Sequence, residues 1–278
     1  MTASVKRVVL VAIDGLRSDA IERFSLFNLR RLAERGASTF DARSVTPDFA
    51  AARLTSLLTG VSPSAHGVIT KRAGLPRVLG RVEPLARVVS GEGFQVSGFL
   101  PEVPPALASG AGLTGRALGF QNVSCKGRTS SDIVSSALNA LCTQRRGLLA
   151  LHLPDTARAS DTSGTLLDYG DATRRIDQSV GVLASLSGAA SGDSLLVIVG
   201  DHRDDNELKS SDADASDDRI SVIIFGRCVS SCSLDGISLL DISPTILWAL
   251  GIPIPLGYEG RPLTEAFDSI PVPARAFA

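Results

Sequence analysis

Only three histidines, His66, His152 and His202, occur in the 278 residues of this chain. However it folds, at most three imidazoles can serve as metal ligands. Aromatic residues make up 5% of the sequence, which argues against a surface that stacks bases or sugar rings. The net charge of −1 gives no electrostatic reason to expect nucleic acid or an anionic membrane as partner. No apolar run approaches the roughly 20 residues of a membrane span. The four cysteines, Cys125, Cys142, Cys228 and Cys232, show no C-x-x-C spacing. Free thiols in a cytoplasmic chain are therefore expected over a disulfide framework. Cys228-x-x-x-Cys232 has no histidine nearby to complete a metal site.

What is present is a soluble composition, 44% hydrophobic and 21% charged, with ample length for a large core. Two apolar runs stand out. Val8–Ile13 ends in Asp14-Gly15, and Leu195–Gly200 ends in Asp201-His202. Short β-branched runs of this kind read as buried parallel strands. In open α/β sheets, ligands bind beyond the carboxyl ends of such strands. Asp14, Asp201 and His202 are thus candidates to meet at one sheet edge. Lys6-Arg7 before the first run lacks a longer apolar region and a small-residue cleavage site, so this segment reads as a strand and not as a signal peptide.

Strand and helix patterns alternate along the rest of the chain. Helices are predicted at 26–34, 50–58, 84–89, 131–141, 168–186 and 241–250. Further strands are predicted at 94–100, 148–153 and 220–225. The Gly- and Ala-rich stretch 104–119 carries no clear signal. The acidic, serine-rich stretch 203–219 reads as a mobile loop and a solvated charge run. The succession of βα units predicts one domain over 1–278: a three-layer α/β/α sandwich around a largely parallel sheet.

Four segments, in order, resemble the alkaline phosphatase superfamily, in particular its type I phosphodiesterase/nucleotide pyrophosphatase and sulfatase-like branch. They are Val11–Arg17, Thr46–Val68 with its Leu57-Leu58-Thr59-Gly60 and Pro63-Ser64-Ala65-His66-Gly67 turns, Val199–His202, and Leu239–Thr245 with Leu250–Pro253 and Glu259–Leu263. The resemblance implies an alkaline-phosphatase-like fold. It also implies a pair of metal ions that clamp a phosphoryl or sulfuryl group against a Thr, Ser or modified Cys nucleophile. Asp14, Asp201 and His202 match the fixed ligands of one of the two sites.

The rest of the implied machinery is missing. Counting back nine positions from Thr59 places Ala50 where the resemblance expects the nucleophile, and a methyl group cannot attack phosphorus or bind metal. Thr46 lies too early, while Thr55 and Ser56 face the body of the predicted helix. At the second site, the expected Asp-x-x-Gly-His element falls on Ala157, Ser160 and Asp161, and no histidine follows His202. The expectation is a degenerate family member in a binding or regulatory role. It would hold at most one weakly bound divalent ion (Zn, Mn or Mg) through Asp14, Asp201 and His202, with Asp161 as an additional ligand. Arg53 is the candidate anion-binding residue, although an arginine there also suits helix packing. The implied ligand is a phosphate- or sulfate-containing small molecule. The enzymatic alternative is a slow one-metal hydrolase that uses metal-bound water. His66 reads as a turn-stabilising residue, His152 as a strand-end side chain, and Asp155 as either a loop cap or a neighbour of the site.

Overall fold

The computed structural model of the chain describes residues 5–47, 49–70, 82–103, 112–162, 165–200 and 219–268. The run from Arg7 to Ile13 forms β1 and is buried over nearly its whole length. It lies between β5 (Gly147–Leu153) and β6 (Ser194–Gly200), parallel to both. The full sheet has eight strands in the order β4-β3-β5-β1-β6-β7-β2-β8. The others are β2 (Ala37–Arg43), β3 (Gln95–Leu100), β4 (Asn122–Cys125), β7 (Arg219–Gly226) and β8 (Cys232–Ser233). Strand β7 is antiparallel to both of its neighbours, and the remaining pairings are parallel.

Helices are α1 (Ala20–Arg23), α2 (Phe27–Arg35), α3 (Ala50–Thr59), α4 (Pro63–His66), α5 (Leu85–Gly91), α6 (Ser130–Thr143), α7 (Asp155–Thr162), α8 (Leu166–Leu186) and α9 (Ile242–Ala249). Side chains alternate across a strand, so each strand feeds two cores. From β1, Val8 and Leu10 pack with Leu57 of α3, Leu85 of α5 and Ile246 of α9. Val9, Val11 and Ile13 turn the other way, against Leu29 of α2, Ile133 of α6 and Ile176 of α8. This is the expected three-layer α/β/α sandwich.

The amino-terminal edge of the sheet is tied down by Arg7, which is buried at the start of β1. Its guanidinium donates to the carbonyls of Leu141, Gln144 and Ser187, and its Nε donates to Ser194 Oγ. These bonds satisfy carbonyls at the C-terminal ends of α6 and α8, where a cation also suits the helix dipole. Burial pulls the arginine's pKa below its ordinary value.

Helix boundaries fall within a few residues of expectation. The expected helix over 241–250 divides into a 3₁₀ turn, Leu239–Asp241, followed by α9. Strands β2, β4 and β8 were not expected. Strand β2 is broken by a register shift between Thr39 and Ala42, which scrambles its alternation. β4 and β8 are too short to carry a pattern. Asp155–Thr162, for which no element was predicted, form α7. In the unassigned stretch 104–119, residues 112–117 are helical, while 104–111 lie outside the described residues. So do 203–218 of the expected acidic loop; Arg219 opens β7.

Candidate functional site

The site sits where β1 and β5 end and α3 begins. Ala12 pairs with His152 across the β1–β5 ladder, and Ile13 pairs with Leu153. Asp14 follows immediately, on the same face as Ala12 and Leu10. Its backbone is held on both sides: Asp14 N–H donates to Leu153 O at 3.0 Å, and Asp14 C=O accepts from Ala157 N–H at 3.0 Å and from Thr156 Oγ1 at 2.5 Å. The next residue must turn sharply under α7. Gly15 does so at φ +80°, and a Cβ there would lie 3.0 Å from the Ala157 nitrogen, so glycine is required on both conformational and steric grounds. Tyr169, from α8, fixes this turn. Its hydroxyl donates to Gly15 O and accepts from Arg17 N–H, both at 2.9 Å.

Against this rigid platform stands the Asp14 carboxylate, whose side chain is 16% exposed. Arg53 Nη2 lies 3.9 Å from Oδ1, and His152 Nε2 lies 3.8 Å from Oδ2. Arg53 is buried and projects from the first turn of α3, a helix that opens at Ala50. The position expected to hold a nucleophile therefore carries an exposed methyl group at a helix N-terminus. The neighbouring hydroxyls are committed elsewhere. Thr55 Oγ1 donates to Ala51 O at 2.7 Å. Ser56 is fully buried, with its Oγ 3.0 Å from His66 Nε2. His66 Nδ1 accepts from Val68 N–H at 3.1 Å, so the proton resides on Nε2, which donates to Ser56. Burial lowers the pKa of His66. It acts as the turn-stabilising residue expected.

The positions assigned to a second metal site also resolve. Ala157 is buried against Gly15; its side chain offers no ligand and its N–H is used by Asp14. Asp161 is exposed on the last turn of α7. Asp155, left open between capping and the site, ties two helices: its Oδ1 accepts from Ser130 N–H at the start of α6, at 2.9 Å, and Oδ2 lies 3.7 Å from Arg175 Nε. Gly200 is in register with Ile13. Asp201 and His202 follow it in sequence and lie outside the described residues. Among the described residues, no three His, Cys, Asp or Glu side chains gather as a metal site. Of the three expected ligands Asp14, Asp201 and His202, Asp14 is the one among the described residues, and its carboxylate lies 3.9 Å from the Arg53 guanidinium. All four cysteines are free thiols.

Beside this cluster the inner face of the sheet opens into an apolar cavity of about 280 Å³. Sequence reasoning missed it. A cavity is made by residues that are small where a neighbour would be large, and only the register shows which residues are neighbours.

Comparison with known proteins supports the fold. The sequence pattern of the family "Type I phosphodiesterase / nucleotide pyrophosphatase" matches residues 8–73, the span that runs from β1 through α3 and the His66 turn. Among solved structures, the chain superposes on the lipoteichoic acid synthase LtaP from Listeria monocytogenes with a TM-score of 0.72 at 15% identity, covering 93% of this chain and 74% of that one. A protein in the alkaline phosphatase superfamily from Vibrio parahaemolyticus gives a TM-score of 0.72 at 15% identity, covering 95% and 71%. The phosphonate monoester hydrolase SpPMH from Silicibacter pomeroyi gives 0.70 at 17% identity, covering 93% and 76%. No curated protein sequence matches the chain significantly. The chain thus shares the fold of these proteins, and its first quarter carries the sequence pattern of the phosphodiesterase family. Among the described residues no helix is long and apolar enough to cross a membrane.

Proposed function

We propose that this chain is a degenerate member of the superfamily that binds a phosphate- or sulfate-bearing small molecule at the β1–β5 edge and does not hydrolyse it. The observation that carries this reading is the pairing at the start of α3: Ala50 opens the helix, and Arg53, one turn on, is buried 3.9 Å from Asp14. A methyl group supplies no covalent intermediate. The guanidinium supplies a fixed positive charge with a donor geometry matched to phosphate and sulfate oxygens. The N-terminus of α3 adds the favourable end of a helix dipole. Binding is thereby retained while the chemistry is lost, and a binding or regulatory role follows.

Hydrolysis of chromogenic phosphomonoester, phosphodiester and sulfate ester is measured with Mn²⁺, Zn²⁺ or Mg²⁺ for the wild type, Ala50→Thr and Asp14→Ala. The expected result is no turnover above the Asp14→Ala background, with Ala50→Thr failing to create any. Wild-type turnover that disappears in Asp14→Ala overturns the proposal and leaves a one-metal hydrolase built on Asp14, Asp201 and His202.

A further inference from the structure

The cavity beside the site specifies the rest of the ligand. Its floor is a row of residues in register across three adjacent strands. Gly98 of β3 pairs with Ala150 of β5, and Ala150 pairs with Leu10 of β1. One row nearer the carboxyl edge, Ala12 pairs with His152. Ala150 and Ala12 are small where larger side chains would fill the interior, while the space above Gly98 is taken by the Phe120 ring, 3.1 Å from where a Cβ would stand, which forms another part of the lining. Leu54, Leu57 and Leu58 of α3 form part of its wall, and the polar side chains on its lining are those of Thr114 and His152. His152 is also the residue 3.8 Å from Asp14. The same imidazole thus touches the charged cluster and borders the apolar space, while α3 gives Arg53 to one and its leucines to the other.

From this juxtaposition we infer that the ligand is an amphipathic anion, its charged head at Arg53 and its apolar chain in the cavity floored by Ala150 and Ala12. The inference rests on the anion-binding reading above and adds the chemistry of the tail. A pocket with an apolar lining and a few convergent polar groups at one end is the usual form of such a site. Scaling from an engineered cavity of roughly 150 Å³ that accepts benzene, about 280 Å³ accommodates a chain on the order of ten carbon atoms.

Titration calorimetry of the full chain with n-alkyl sulfates of increasing length, below their micelle concentrations, tests this against inorganic sulfate and the matching n-alkanols. Affinity is expected to rise about fourfold per added methylene, to level off on the order of ten carbons, and to exceed that of each matching alkanol at least tenfold. Ala150→Leu, which fills the floor, is expected to abolish the length dependence while leaving inorganic sulfate binding unchanged. Leu54→Ala, which enlarges the cavity, is expected to move the plateau to longer chains, so the result does not depend on one variant folding. Alkyl sulfates that bind no better than inorganic sulfate overturn the tail assignment and leave the anion site intact. Alkanols that bind as tightly as sulfates overturn the anionic head, and the reading under Proposed function with it. Length dependence that survives Ala150→Leu unchanged places the chain elsewhere and overturns the cavity assignment.

Discussion

Replacing Arg53 by leucine should expose how the Asp14 cluster is held. Leucine preserves much of the apolar stem that packs in α3 and removes the charge. Breaking a fully buried ion pair costs roughly 3–5 kcal/mol, because an uncompensated charge stays behind. Exposed pairs are worth roughly 0–1 kcal/mol. Here the arginine side chain is 5% exposed, the aspartate 16%, and the closest approach is 3.9 Å. The Asp14 backbone is anchored by Leu153, Thr156 and Ala157, so the carboxylate cannot swing far towards water. The expected cost is therefore about 2–3 kcal/mol, below the buried limit because of the residual exposure and the long contact. Urea unfolding measures it as a lower midpoint with an unchanged slope. In an Asp14→Asn background there is no carboxylate to strand, and the same Arg53→Leu change should cost about 1 kcal/mol, a coupling of about 1–2 kcal/mol. Equal costs in the two backgrounds would refute the argument: Arg53 would then be a helix-packing residue with no electrostatic tie to the site.

Two further predictions concern the supports of the site. Tyr169→Phe removes a buried hydroxyl that donates to Gly15 O and accepts from Arg17 N–H, and should cost about 1–3 kcal/mol in urea unfolding. Loss of stability with an unchanged crystal structure of the Asp14-Gly15 turn is the expected pair of results; no loss means the turn holds without it. For His66, burial lowers the folded-state pKa below its ordinary value of 6.5, so between those values the unfolded chain binds more protons and stability rises with pH. Its contribution should be complete above pH 6.5 and be lost as pH falls through the window beneath. Urea midpoints of wild type and His66→Gln should accordingly converge on acidification, and parallel curves would contradict the assigned neutral tautomer.

The carboxyl-edge location of Asp14 and the boundaries of α3 were legible because they rest on local signals. A β-branched run reads as a buried strand whatever surrounds it, and Ala50–Leu58 reads as a helix that Thr59-Gly60 ends. Ala50's inability to act as a nucleophile follows from its chemistry alone. The linear chain does not contain the register. That Ala12 stands opposite His152, and Ala150 opposite both Gly98 and Leu10, is set by which strands become neighbours, and the cavity exists only through that adjacency. The same holds for Arg53. Its sequence position suited either an anion site or helix packing, and only the fold shows it buried 3.9 Å from the carboxylate that follows β1. Position 155 was open for the same reason, until the fold brought the first residue of α6 within hydrogen-bond reach and supplied the Ser130 amide it caps. Sequence alone therefore determined the type of edge and the methyl side chain that opens α3. Tertiary structure decided what now occupies that edge, because hydrogen-bond register and burial are properties of residue pairs brought together by the fold.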